Sequence, residues 1–192
     1  MDVWTSGSLG YVPITKNAST SWVKVFRDLG WRQSQLDLVD PHMPLFGHFR
    51  DPIQRHFLGT AEFLVQNQLQ HLVDNKSWQQ VWARSVMDMH GYPITWAMGT
   101  HAQRCHWIPI HEKLDVDALT RDYLASHDIH IGEIPRLNQS YPRKKALYHQ
   151  LVALHGQIDA HNHLSWFYDS DIVLWNSLFP YVDTHNQWHT VY

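Results

Sequence analysis

A chain of 192 residues is long enough to bury a substantial core as one domain, without metals or disulfides. Its 15 Lys and Arg against 18 Asp and Glu give a formal charge of -3, which argues against a general nucleic-acid binder but leaves room for a local anion site. The single cysteine, Cys105, rules out an intrachain disulfide and a disulfide-stapled secreted mini-domain.

Sixteen His make the charge sensitive to pH near neutrality, and ten Trp point to a tightly packed core with aromatic residues lining a cleft. Met1 to Gly7 lacks the basic start and apolar run of a signal peptide. No apolar run reaches the roughly 18 residues of a membrane span. The expectation is a soluble cytoplasmic protein with no membrane insertion.

In chain order, Leu9-Gly10-Tyr11-Val12-Pro13-Ile14 reads as a strand entering a loop of small polar residues. From Ser21 a helical pattern places Trp22, Val25, Phe26 and Leu29 on one face, and Gly30 stops it. Met43 to Phe49 reads as a second, buried strand. It ends in Arg50-Asp51-Pro52, where Asp51 caps and Pro52 opens a helix. That helix buries Ile53, Phe57, Ala61 and Leu64, and its stripe continues to Gln68 or Leu72. A further helix is expected over 75–87, then a structured loop over 88–105. His106 to Ile110 reads as a short edge strand, because Pro109 disfavours a central one. Val116 to Leu124 reads as a helix after Asp115, 129–143 as a loop, and 143–156 and 165–175 as two helices. The expected class is α/β, a single domain over 1–192 with a small sheet, many helices and a polar tail from about 184.

The loop Lys16-Asn17-Ala18-Ser19-Thr20-Ser21 carries chemistry. A turn into a helix presents free backbone N–H groups and the positive end of the helix dipole. Small residues let a phosphate approach, Lys16 adds a mobile charge, and Thr20 and Ser21 add hydroxyls. The alternative reading is a surface Lys beside an ordinary Ser/Thr helix cap, and this segment alone leaves both open. It is not the Gly-x-x-x-x-Gly-Lys-Ser/Thr loop of nucleoside triphosphatases, since here the Lys precedes the small residues.

The segment Pro13 to Ser21 resembles the loop of sulfotransferases that use 3'-phosphoadenosine-5'-phosphosulfate (PAPS), with Thr15 where that family usually has Pro and Ala18 where it often has Gly. Phe49 to Gly59 resembles the family's Arg-Asp-Pro-x-x-Arg-x-x-Ser-Gly segment, in which the first Arg and the Ser bind the 3' phosphate. Arg50 matches, whereas Leu58 stands at the Ser position; Thr60, two residues on, is the candidate replacement hydroxyl. Asp88-Met89-His90-Gly91-Tyr92-Pro93 is similar to the Asp-x-His-x-x-Pro segment of carbohydrate sulfotransferases and their bacterial and viral relatives. Leu137-Asn138-Gln139-Ser140 is similar to their Asn-x-Ser/Thr loop. Phe167 to Leu174 is similar to their closing Tyr-x-x-Asp helix, whose Tyr and Asp organise the fold. The resemblance spans roughly 10–175.

It implies a mainly parallel central sheet flanked by helices, of P-loop nucleotide-binding type. It also implies transfer of a sulfuryl group from PAPS, leaving adenosine 3',5'-bisphosphate (PAP), to a hydroxyl or amine of a small molecule or glycan. Lys16 would act on the bridging oxygen, and Asn17, Ala18, Ser19, Thr20 and Ser21 would hold the 5' phosphate. Arg50, with its fork of donors, would hold the 3' phosphate, joined by Asn138 and Ser140. His90 is the first choice of general base, beside Asp88, with His48 or His56 as other histidines that could face the pocket. Arg55 is either a structural ion-pair partner or a ligand contact. Arg143, Lys144 and Lys145 form either part of a lid or a solvated helix start. Cys105 is read as a buried or indifferent thiol. The His101, His106, His111 and His161, His163, His185 groups lack a catalytic-zinc spacing, so no metal is assigned. The competing classes are a weakened relative that only binds a nucleotide or a partner, and a P-loop kinase-like enzyme using ATP. Oligomeric state is not readable.

Overall fold

The computed structural model describes residues 1–75, 77, 80–81, 91–135, 137, 142–157 and 160–182, without the side chains of 142–143, 155–157 and 160–163. The described residues form a mixed α/β protein whose chain divides into two compact units, Met1–Arg50 with Ala97–Gln139, and Asp51–Trp96 with Ser140–Tyr192.

The first unit is built on a five-stranded sheet of order β3-β1-β2-β4-β5, made of β1 (Asp2–Thr5), β2 (Gly10–Val12), β3 (Arg32–Gln35), β4 (Leu45–Arg50) and β5 (Cys105–Ile110). The pairs β2–β4 and β4–β5 are parallel, while β1 runs antiparallel to both β2 and β3. The sheet is therefore mixed where a mainly parallel one was expected. The two antiparallel strands carry little apolar signal: β3 reads Arg-Gln-Ser-Gln and is held at the edge by side chains. Gln33 and Gln35 donate to the two oxygens of Asp2 across the strand, at 2.8 and 2.6 Å. Polar side chains on an edge strand also discourage pairing with another chain. At the opposite edge, β5 carries Pro109 as expected.

Helix α1 (Ser19–Asp28) follows β2 and lays Trp22 and Phe26 on the sheet. Its end is a Schellman motif, with Gly30 at φ 78 and Trp31 N–H reaching back to Phe26 O at 2.9 Å. The accompanying apolar contact is Trp31 on Phe26, ring centroids 4.4 Å apart. Leu29, expected on the buried face, is instead the exposed residue before that turn. Leu9, Tyr11, Phe46 and Ile108 complete this core with Leu124 and Ile134. Strand β4 is buried on both faces up to Arg50, as an internal parallel strand must be. Gly47 is required there, because a Cβ would lie 2.9 Å from the Trp107 ring and 3.1 Å from Val12 O.

In the second unit, Asp51 caps α2 (Pro52–Gln66) by accepting Gln54 N–H at 2.8 Å, and α2 buries Ile53, Phe57, Ala61 and Leu64. The stripe stops there. Gln68 sits at φ 57, Leu69 N–H returns to Leu64 O at 2.8 Å, and Leu72 is buried from the next helix, α3 (His71–Asp74). Residues 80 and 81 are helical, and most of the helix expected over 75–87 lies outside the described residues. The loop expected over 88–105 contains two short helices, α4 (Ile94–Met98) and α5 (His101–Arg104). Their signal was the four-residue spacing of buried Ile94, Met98 and Ala102, interrupted by Gly99 at φ 55. Back in the first unit, helix α6 (Val116–Ala125) starts on Asp115 as expected, its carboxylate accepting Ala118 N–H at 2.9 Å. Helix α7 (Pro142–Gln157) matches the first closing helix. The second is two helices, α8 (Ala160–Phe167) and α9 (Asp169–Leu178), broken at Tyr168. The expected tail from 184 lies outside the described residues. Among the described residues no helix is long and apolar enough to cross a membrane.

Gly47→Ala is expected to cost about 1–3 kcal/mol, as overpacking of a full core does, read from the urea midpoint. An unchanged midpoint would show that Trp107 and Val12 yield without strain.

Candidate functional site

Strands β2 and β4 are parallel neighbours, so their carboxyl ends emerge side by side, where open α/β sheets place ligands. The β2 end leads into the Lys16 loop and the β4 end carries Arg50. The two meet directly: Arg50 Nε donates to Lys16 O at 3.1 Å. The loop turns back at once, with Ile14 N–H on Val12 O at 3.1 Å and Asn17 N–H on Ile14 O at 3.2 Å.

Two of its residues occupy the left-handed region, Lys16 at φ 64 and Ala18 at φ 58. Each costs an L-residue about 1–2 kcal/mol. Such strain is retained where surrounding structure imposes it, and alternating left-handed residues turn backbone N–H groups toward a common point. Ala18 is the N-cap of α1, and no side chain caps the helix. The ordinary Ser/Thr-cap reading is thereby corrected. The helix starts at Ser19 rather than Ser21, and its first N–H groups have no acceptor within the helix. No acidic residue occurs in the first turn. Ala18 and Thr20 are exposed there, while Ser19 and Ser21 are half-buried. Ser21 Oγ accepts Leu137 N–H at 3.2 Å, which brings Leu137 to the same helix end.

Asn17 departs from its expected place. Its side chain is fully buried and turns away from the loop surface, donating from Nδ2 to His48 O at 2.7 Å. Its backbone is buried as well, with the N–H on Ile14 O. His48 is equally buried. Thr120 Oγ1 donates to Val116 O at 2.7 Å, so it accepts from His48 Nε2–H at 3.0 Å, and His48 Nδ1 accepts from Tyr11 O–H at 3.2 Å. The ring also stacks on Trp22 at 5.0 Å. Both ring nitrogens are thus satisfied in the neutral form, and burial lowers the His48 pKa to about 3. Burial likewise raises the Tyr11 hydroxyl and the Cys105 thiol, which is buried as read from the sequence.

The remaining sequence candidates fall in the second unit or outside the description. Arg55 is structural: with 1% exposure it lies 3.8 Å from Asp171 and donates to Tyr92 O. Asp171 caps α4, accepting Ile94 N–H at 2.7 Å, Thr95 N–H at 2.8 Å and the Thr95 hydroxyl at 2.7 Å. The Tyr168 hydroxyl donates to Gly91 O and accepts from His56 Nδ1 at 3.1 Å. Tyr168 and Asp171 therefore organise the fold, as the resemblance implies, and His56 is a core residue. Thr60 is buried and pairs with His56 Nε2 at 3.4 Å, so its hydroxyl is engaged within this core. Leu58 itself packs on the apolar core of this unit. Lys144 forms an ion pair with Glu62. Asp88, His90, Asn138 and Ser140 lie outside the described residues. Among the described residues no three His, Cys, Asp or Glu gather as metal ligands. The chain matches no family model, no curated protein and no solved structure.

Because the folded His48 pKa is depressed, the unfolded chain takes up the proton first. The stability His48 contributes is complete above about pH 6.5 and falls by up to about 1.4 kcal/mol per unit as pH drops toward 3. Nitrogen shifts of the ring should report the neutral Nε2–H tautomer from pH 8 to 5. Titration between pH 6 and 7 contradicts the network. Ala18→Gly should raise stability by about 1 kcal/mol by relieving the left-handed strain, and a lower thermal midpoint contradicts that assignment.

Proposed function

We propose that the protein is a PAPS-dependent sulfotransferase acting on a hydroxyl or amine, with a glycan as the favoured acceptor class. The observation that carries this reading is the direct contact between the Lys16 loop and Arg50 at the carboxyl ends of adjacent parallel strands. A donor carrying a phosphosulfate at one end and a 3' phosphate at the other needs two cationic contacts of this kind. The loop fits an anion chemically: strained backbone, an uncapped helix start, a lysine, and no carboxylate over residues 13–22.

When bound, PAPS supplies the sulfuryl group, which leaves the 5' phosphate oxygen and joins the acceptor oxygen or nitrogen. The N–H groups at the start of α1 hold the 5' phosphate. Lys16 balances negative charge on the departing oxygen, the form of electrostatic help that costs no reorganisation when it is built in advance. Arg50 contributes to the 3' phosphate while bracing Lys16 through its carbonyl. His90 takes the acceptor proton, an assignment resting on the Asp88 to Pro93 segment alone.

A second reading, a relative that binds the nucleotide without transfer, is favoured by one observation: Leu58 packs on an apolar core where a phosphate-binding hydroxyl is expected.

Calorimetry with PAP and with ATP tests both. The wild type should bind PAP more tightly than ATP. Lys16→Ala and Arg50→Ala should each weaken PAP by about 10- to 100-fold, the range for losing a hydrogen bond to a charged group. Absence of PAP binding overturns the proposal. Binding without turnover across an acceptor panel supports the second reading.

A further inference from the structure

The parallel ladder between β2 and β4 has a missing rung. Gly10 N–H donates to Pro44 O at 2.9 Å, with Gly10 opposite Leu45 and Val12 opposite Gly47. Continuing that register by two residues assigns Ile14 N–H to His48 O. Ile14 N–H instead turns back to Val12 O at 3.1 Å, because the chain leaves the strand at Pro13. The buried His48 carbonyl would then lose its donor, which a folded protein rarely tolerates. Asn17 Nδ2 fills the place at 2.7 Å. The residues on either side of Asn17 are the two in left-handed conformation, Lys16 and Ala18. Its other amide atom, Oδ1, is buried with no hydrogen-bond partner. The donation to His48 O is thus the polar contact that fixes this side chain.

We infer that Asn17 is the positioning residue of the phosphate loop: its amide replaces the last rung of the β2–β4 ladder and so holds Lys16 and the start of α1 in their anion-binding arrangement. This rests on the proposed PAP-binding role of the loop. Asn17 touches no ligand in this account. It acts through the backbone on both sides, and Arg50 gives a second tie from the same strand to Lys16 O. Asparagine suits the position because it is short enough to stay under the loop and supplies a neutral donor. Aspartate, of the same shape, offers only acceptors when ionised and can donate to His48 O only when protonated.

Asn17→Asp supplies the test, since its defect should be reversible by pH. At pH 8 the variant should bind PAP at least tenfold more weakly than wild type, and at pH 5.5 the difference should shrink to within about threefold. Amide hydrogen exchange of residues 15–21 without nucleotide should show the same pattern, fast at pH 8 after correction for intrinsic rates and near wild type at pH 5.5. A variant equal to wild type at pH 8 in both measurements overturns the inference, as does a defect indifferent to pH. Should the variant not fold, the wild-type Asn17 side-chain protons decide: slow exchange supports the rung, and fast solvent exchange overturns it. If wild type itself fails to bind PAP, the functional reading falls, while the exchange data still test the rung.

Discussion

The carboxyl end of β4 is the constraint on which the site depends. This strand is buried on both faces, so its backbone groups must be satisfied within the protein, and its last three residues each hold something else in place. Phe49 packs against Trp107 with ring centroids 5.1 Å apart. His48 links β2, α1 and α6 through Tyr11, Trp22 and Thr120, and its carbonyl receives Asn17. Arg50 reaches Lys16. A loop with two left-handed L-residues is strained by itself, at about 1–2 kcal/mol for each. Contacts from one strand hold it in that conformation.

Polar groups buried elsewhere serve a different end. Arg55, Asp171, Tyr168 and His56 form one buried polar group that hydrogen-bonds the backbone of Gly91, Tyr92, Ile94 and Thr95. A buried ion pair stabilises little overall, because desolvation offsets much of the attraction. Its effect here is to fix one conformation of a turn rich in Gly and Pro. The same arrangement consumes Thr60 and leaves Leu58 apolar. The described residues therefore supply cationic groups at the Lys16 end and no hydroxyl from α2.

Much of this was legible in the sequence where local chemistry decides structure. Asp51 and Pro52 marked the start of α2, Asp115 that of α6, and Pro109 an edge strand, since each acts on backbone within three residues of itself. Buried apolar stripes were readable in α2 because the period is unbroken. Strands β1 and β3 were not, because polar cross-strand pairs such as Asp2 with Gln33 and Gln35 leave no alternation. The pairing of Arg50 with Lys16 follows from two motifs at the ends of adjacent strands. The inward turn of Asn17 could not be read, since it depends on where a ladder ends in space. Its only trace is Pro13, which marks the point where β2 must stop pairing. His48 and His56 looked like pocket candidates because chemistry-bearing residues in a buried core leave the same trace in a sequence as those in a cleft.

Whether the loop and Arg50 form one anion cradle is tested most directly by a crystal structure grown with adenosine 3',5'-bisphosphate. The 5' phosphate oxygens are expected within hydrogen-bond distance of the amide nitrogens at the start of α1 and of Lys16 Nζ, with Asn17 still on His48 O. A nucleotide bound away from this loop, or phosphate on it only after Asn17 has left His48, would contradict it.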